Sequence, residues 1–346
     1  MRLRNRGQRS SVSRVLLLVV GAILVSATAA YGATLGTGSS RAKAHAAGAA
    51  KLTIRVALPA DSPPIDIPVW VAQKEGFFAK DGLKIIATTP NIPFSSMLAA
   101  VGHQYDMTIA SQPNLIDAVA EGVHDVALFG SELDVPQDPA AGVVMTKASG
   151  VTTVKQLSGK SIGAPSLTGN NYLAFECWLN RSGVKPSSVR GVQADPPDIP
   201  SLLSAGRFDG TLIFNPILDS LKAQGDVYLG DPYKGCFGTG EQNGYYTAST
   251  SWATAHKVGL ADFLAVEKEA VAFIAKHKSV ALNTYVKLSG LPASVARQAV
   301  IYPPEMNFKI NTADFANWER IMKSLAVLPA HAPAASKLWL RLPKAS

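Results

Sequence analysis

The chain is sparing with reactive side chains. Cysteine occurs twice in 346 residues, at Cys177 and Cys236, and histidine six times. The histidines stand at no metal-ligand spacing, so no metal centre is expected. His103 and His124 fall in stretches that read as surface loops. No Gly-x-Ser-x-Gly elbow occurs. The run "SGKS" (158–161) has the end of a phosphate loop, but the glycine required upstream is Val154. "GTGEQNG" (238–244) has the wrong glycine spacing for a dinucleotide-binding turn and lacks a strand-to-helix context. No familiar enzyme signature is left, and no cofactor is expected.

Acidic residues are missing altogether before Asp61, while Arg2, Arg4, Arg6, Arg9 and Arg14 crowd the first segment. The formal net charge of +8 therefore misleads. Without those five arginines it falls to +3, and without Arg41 and Lys43 as well to +1. The body is nearly neutral, which argues against a nucleic-acid partner. After the arginines comes the apolar run "VLLLVVGAILV" (Val15–Val25), then small residues with an Ala-Thr-Ala site at 27–29. This is the pattern of a secretory signal peptide over 1–33, with an uncleaved anchor as the competing reading. No cysteine stands there to carry a lipid, and no paired arginines point to the twin-arginine route. Residues 34–50 read as a flexible Ala/Gly-rich leader. The chain is thus expected to be exported, to the periplasm or cell surface. In that setting two cysteines suit either a disulfide or two buried thiols.

From Lys51 onward, strands and helices alternate at βαβ spacing, the pattern of an α/β protein with mainly parallel sheets. "LTIRVALPA", "LKIIA", "MTIAS" and "DVALFG" read as strands. Pro68 opens a helix, Gly76 and Gly82 are stops, Ser95 or Ser96 caps a further helix, and another runs from about Asn114 to Glu121. The pattern restarts with "VKQLSGKSIGAPS", "GNNYLAFECWLNRSG", "DIPSLLSAG", "GTLIF", "NPILDSLKAQG" and "DVYLG". Beyond about Tyr245 the chain is mostly helical. Phe263, Leu264, Val271, Phe273 and Ile274 are expected on one buried helix face.

One unit is spelled twice. Leu98 and Leu202 lie on a helix that Gly102 and Gly206 end. Asp106 and Asp209 precede a strand holding Thr108 and Thr211, and Pro113 and Pro216 open the next helix. Shared order over some twenty positions implies two similar lobes, each with its own sheet. Ligand loops lie beyond the strand C-termini in such sheets, so "SQPN" (111–114) and "FNP" (214–216) are expected to face one cleft.

Several phrases carry a family resemblance. "IPVWVAQKEGFFAKDGLKI" resembles a small apolar loop leading to Ala-Gln-x-x-Gly-Phe/Tyr-Phe and Gly-Leu. "VKQLSGKSIGAPS" is similar to Asp-Leu-x-Gly-Lys-x-Ile, with Gln156 in place of Asp. "LLSAGRFDGTLIFNPIL" and "GYYTAS" match later phrases in order. The chain resembles the nitrate/sulfonate/taurine-type solute-binding proteins of ABC transporters, a family that includes binders of thiamine-pyrimidine precursors. The likeness runs from about Leu52 to Val327. It implies a type II periplasmic-binding fold, with a discontinuous first lobe (51–145 and 247–346), a second lobe (146–246) and a two-segment hinge. It further implies a monomer that captures a small-molecule solute and delivers it to an ABC permease in the membrane.

Candidate ligand residues follow from the loops. In the second lobe they are Ser166, Thr168, Gly169 and Asn170, at a helix N-terminus suited to an anion, with helix capping as the plainer reading. Asn215 joins them. In the first lobe they are Asp61, Ser62, Phe94, Ser95, Ser111 and Gln112. Asp61 or Asp66 suits an amine or heterocyclic N–H, against the commoner role of a solvated loop carboxylate. Trp70 reads as core. The leading expectation is binding without chemistry. The alternatives are a lyase or biosynthetic enzyme on the same fold, or the ligand-sensing partner of a membrane receptor. A yeast-type relative that makes the thiamine pyrimidine with a cysteine cluster and a reactive histidine is disfavoured by having only two scattered cysteines here.

Overall fold

The computed structural model describes residues 51–59, 66–90, 92, 94–131, 141–238, 244–299 and 307–345. The expected signal segment, the leader, Asp61 and Ser62 lie outside the described residues. The first half runs β1 (Leu52–Ala57), α1 (Ile67–Lys74), α2 (Phe77–Lys80), β2 (Leu83–Thr88), α3 (Phe94–Ala100), β3 (Met107–Ala110), α4 (Gln112–Ala120) and β4 (Asp125–Gly130). Then come β5 (Ala141–Met145), β6 (Ser161–Ala164), α5 (Asn170–Arg181), β7 (Arg190–Gln193), α6 (Ile199–Ser204), β8 (Gly210–Phe214), α7 (Ile217–Ala223), β9 (Val227–Gly230) and α8 (Pro232–Phe237). The chain ends with β10 (Tyr245–Ser249), α9 (Thr250–Ala255), α10 (Lys257–Lys276), α11 (Lys278–Leu288), α12 (Ala293–Ala296) and α13 (Thr312–Ser324).

Among the described residues, ten strands form two five-stranded sheets of one design. The orders are β2-β1-β3-β10-β4 and β7-β6-β8-β5-β9. In each, the fourth strand runs antiparallel to both neighbours, and the pairs among the first three strands are parallel. The fourth strands are exchanged along the chain: β5 follows β4 but enters the second sheet, and β10 follows β9 but enters the first. The expected boundaries at 145/146 and 246/247 put "AGVVM" (141–145) in the first lobe and the start of β10 in the second. Pairing assigns each to the other sheet, because a lone antiparallel strand carries no sequence mark of the sheet it joins.

The repeated unit proves to be a device for fastening strands. Asp106 Oδ2 accepts the Arg55 N–H at 2.7 Å, and Asp209 Oδ2 accepts the Ser161 N–H at 2.8 Å. Two residues on, the Thr108 hydroxyl donates to the Ala57 carbonyl and the Thr211 hydroxyl to the Gly163 carbonyl, both at 2.9 Å. The registers correspond as well: Ala57 pairs with Thr108, and Gly163 with Thr211. Gly102 (φ 81°) and Gly206 (φ 69°) end α3 and α6 in the left-handed region, as their place after a helix requires.

The buried stripe of α10 is Leu260, Phe263, Val266, Glu267, Ala270 and Ile274. Leu264, Val271 and Phe273 are only half-buried, so the expected face is turned by about one position and takes in a carboxylate. Trp70 is half-buried against the first sheet's apolar cluster. Cys177 of α5 and Cys236 of α8 are joined in a disulfide. Among the described residues no helix is long and apolar enough to cross a membrane.

Candidate functional site

Parallel strands deliver their loops to one edge of a sheet. In the first sheet the loops after β1 and β3 are neighbours there; in the second, those after β6 and β8. The antiparallel fourth strands begin at the same edges, Tyr245 pairing with Ala110 and Ala141 with Phe214.

Ser111 leaves β3 extended and becomes the N-cap of α4, its Oγ accepting the Asn114 N–H at 3.5 Å. The helix therefore starts two residues before the expected Asn114. Gln112, its first residue, has no exposed surface. Phe94 and Ser95 form the first turn of α3, which places Ser95 inside the helix and not at its cap.

Asn114 reaches the second sheet's loops. Its side-chain amide atoms lie 3.1–3.5 Å from where a Cβ on Gly169 would stand. Gly169 is the N-cap of α5 with φ 81° and ψ −178°, a backbone region that is essentially glycine's alone. Any side chain there would meet both strain and Asn114. The residue fits because it is small and because it is achiral.

Ser166 and Thr168 do not cap α5. The Ser166 Oγ donates to the Thr168 carbonyl at 2.9 Å and accepts the Thr168 N–H at 3.2 Å, closing a turn of its own. Asn170 opens α5 and is 9% exposed. The neighbouring Asn171 Oδ1 accepts the Tyr233 hydroxyl at 2.9 Å, tying α5 to α8. Asn215 ends the β8 loop through a cis bond to Pro216. The two helix N-termini, α4 from one sheet and α5 from the other, thus meet where the strand ends deliver them.

Asp66 is 4% exposed, so it is no solvated loop carboxylate. Together with Tyr246 and Glu267 it forms an acidic group beside α1. The Tyr246 hydroxyl donates to Glu267 Oε2 at 3.1 Å. Burial pushes the Glu267 carboxyl up to about 8; the Tyr246 bond works against this, and the charge of Asp66 adds to it. Glu267 Oε1 is buried without a hydrogen-bond partner among the described residues. The sequence did hold a signal for this group, a glutamate at an otherwise apolar helical spacing. Nothing local in the sequence announced the Asn114–Gly169 approach. Among the described residues no group of three or more His, Cys, Asp or Glu side chains is arranged to hold a metal.

Comparison with known proteins gives two kinds of likeness. The sequence pattern of the family described as NMT1/THI5 like matches residues 64–281. A 4-amino-5-hydroxymethyl-2-methylpyrimidine phosphate synthase from Schizosaccharomyces pombe is 26% identical over 151 residues, covering 43% of this chain and 41% of the relative. The chain thus spans less than half the length of that relative, and other curated relatives with the same name are matched over similar shares. Two solved structures share the fold. The alkanesulfonate-binding protein SsuA from Xanthomonas axonopodis pv. citri, bound to MOPS, has a TM-score of 0.68 at 18% identity, covering 84% of this chain and 98% of that one. The periplasmic aliphatic sulphonate binding protein SsuA from Escherichia coli has 0.69 at 19%, covering 83% and 97%. The architecture is therefore that of the periplasmic binding proteins, two mainly parallel sheets flanked by helices.

The relatives' names correct one expectation. Binding without chemistry was read from missing motifs, yet several curated relatives are synthases, which are enzymes. Motif searches find contiguous machinery. Groups brought to a cleft by separate loops leave no such trace.

Proposed function

This chain belongs to the NMT1/THI5 like family, and on that premise we propose that it captures a small molecule between its two sheets. In this reading it is the extracytoplasmic receptor of an ABC importer, a monomer that hands its solute to a membrane permease. The observation that carries the reading is the meeting of α4 and α5 at Asn114 and Gly169, one from each sheet. A guest held there touches both halves, so binding draws them together. The basic, apolar and small-residue order of the first 33 residues supports export.

The ligand class we favour is an amino-substituted heterocycle. Asp66 is buried at the start of α1, and a buried carboxylate suits an N–H donor better than an oxyanion. The synthase name of the relatives points to the same pyrimidine chemistry. That name also supports a second reading, in which the chain makes the pyrimidine phosphate. One assay separates them. The protein is heated with 4-amino-5-hydroxymethyl-2-methylpyrimidine, with its phosphate, or with MOPS. Ligand at a thousand times Kd stabilises the native state by about 4 kcal/mol. A shift with the pyrimidine and none with MOPS supports capture. No shift with any probe, alongside pyrimidine phosphate accumulating in a metabolite extract as read by mass spectrometry, supports the synthase.

A further inference from the structure

Two apolar seams join elements of the first sheet to elements of the second, and they differ in kind. One is deep. Phe315, Trp318 and Met322 of α13 and Leu115 and Ile116 of α4 pack with Leu173, Ala174 and Cys177 of α5 and Tyr233 and Cys236 of α8. Most of these side chains are wholly buried, and the disulfide lies among them.

The other seam is slight and is made by the segment Leu291–Ala299, which contains the short helix α12. Its residues serve different partners. Ala296 and Ala299 are buried against Ile67 and Val71 of α1, Ile274 of α10 and Tyr285 of α11. Leu291, just before the helix, and Val295, within it, are each half-buried. Both pack on the second sheet's cluster, which contains Ile199 and Leu203 of α6 and Phe208. Leu291 touches both clusters, and Val295 only the second. The small alanines let the segment lie close to the first half while Leu291 and Val295 pack across the gap.

We infer that the segment around α12 is a releasable latch, with Leu291 and Val295 as the contact that parts when the two halves separate about the α13 seam. This rests on the capture reading above. The deep seam cannot part without exposing wholly buried aromatic rings. The shallow one exposes only two half-buried aliphatic side chains. The latch is also wired to the site. Ala296 and Ala299 pack on α1, whose N-cap is Asp66.

The test uses the full chain without ligand, so its failure is distinct from failure of the capture reading. Small-angle X-ray scattering is compared for the wild type, Leu291→Asp and Val295→Asp. A buried carboxylate facing an apolar cluster is disfavoured, so both variants should show a larger radius of gyration with wild-type circular dichroism. Because Leu291 also contacts the first half, Val295→Asp is the deciding variant. An unchanged radius of gyration for Val295→Asp overturns the proposal. So does loss of cooperative unfolding in that variant, which would make Val295 part of a permanent core.

Discussion

Tyr246 donates its hydroxyl to Glu267 at 3.1 Å, and both side chains are buried. Glu267 is 1% exposed, and its carboxyl is pushed from 4.5 up to about 8. The native state therefore holds a proton that the unfolded chain gives up at lower pH. Between about pH 4.5 and pH 8 the folded form binds more protons, so stability falls as pH rises and levels off above the folded value. Glu267→Gln removes this dependence. Its stability relative to wild type should grow across that window, reaching roughly 3–5 kcal/mol at the plateau. Denaturant melts at pH 5, 7 and 9 check this. An equal difference at all three pH values would contradict it.

The Cys177–Cys236 bridge closes a long loop, with a sequence separation of 59. Loop-closure entropy for that length corresponds to about 4 kcal/mol, and measured values generally fall at or below such figures. Replacing both cysteines by alanine should cost about 2–4 kcal/mol in denaturant unfolding. Reductant should then have no further effect on the variant.

Asp209 shows how one carboxylate can hold two strands. Burial acts to raise its pKa, but the Ser161 N–H and hydroxyl, with Lys160 and Arg190 nearby, outweigh it and hold the group below its ordinary value. Its contribution is therefore present above the unfolded value and lost as pH falls through the folded one. Asp209→Ala leaves the Ser161 N–H without its acceptor and should cost about 1–3 kcal/mol at pH 7. The gap to wild type should narrow toward pH 3, as followed by thermal melts.

Gly169→Ala meets two obstacles, a left-handed φ of 81° and the Asn114 amide 3.1 Å away. The backbone term alone amounts to about 1–3 kcal/mol. Asn114→Ala in the same chain removes only the collision. A double-mutant cycle on stability should then give a coupling of at least about 0.5 kcal/mol. Strict additivity would mean that the two residues do not touch in solution.

The alternation of elements was legible because helix stops and strand runs are local. Gly76, Gly82, Gly102 and Gly206 all take positive φ where the sequence places a stop. The repeat around Asp106 and Asp209 was legible too, but the bonds it makes were not. It marks two lobes with a sheet each, as the order of its residues implies, and its Asp and Thr side chains also fasten neighbouring strands. That fastening depends on which backbone atoms stand opposite, and the partners lie 48 or 51 residues away in sequence. The capping of α4 by Ser111 was hidden for a related reason, since proline at the second helical position draws the eye to a later start. The exchanged fourth strands were invisible because a strand's own residues do not name its neighbours.

That exchange has a consequence for synthesis. β3 and β4 never touch as partners, since β10 stands between them and pairs with both. A nascent chain that has emerged as far as residue 240 therefore holds β2, β1 and β3, which pair with one another, and β4, whose partner strand is still to come. Only the arrival of Tyr245–Ser249 joins β4 to that sheet.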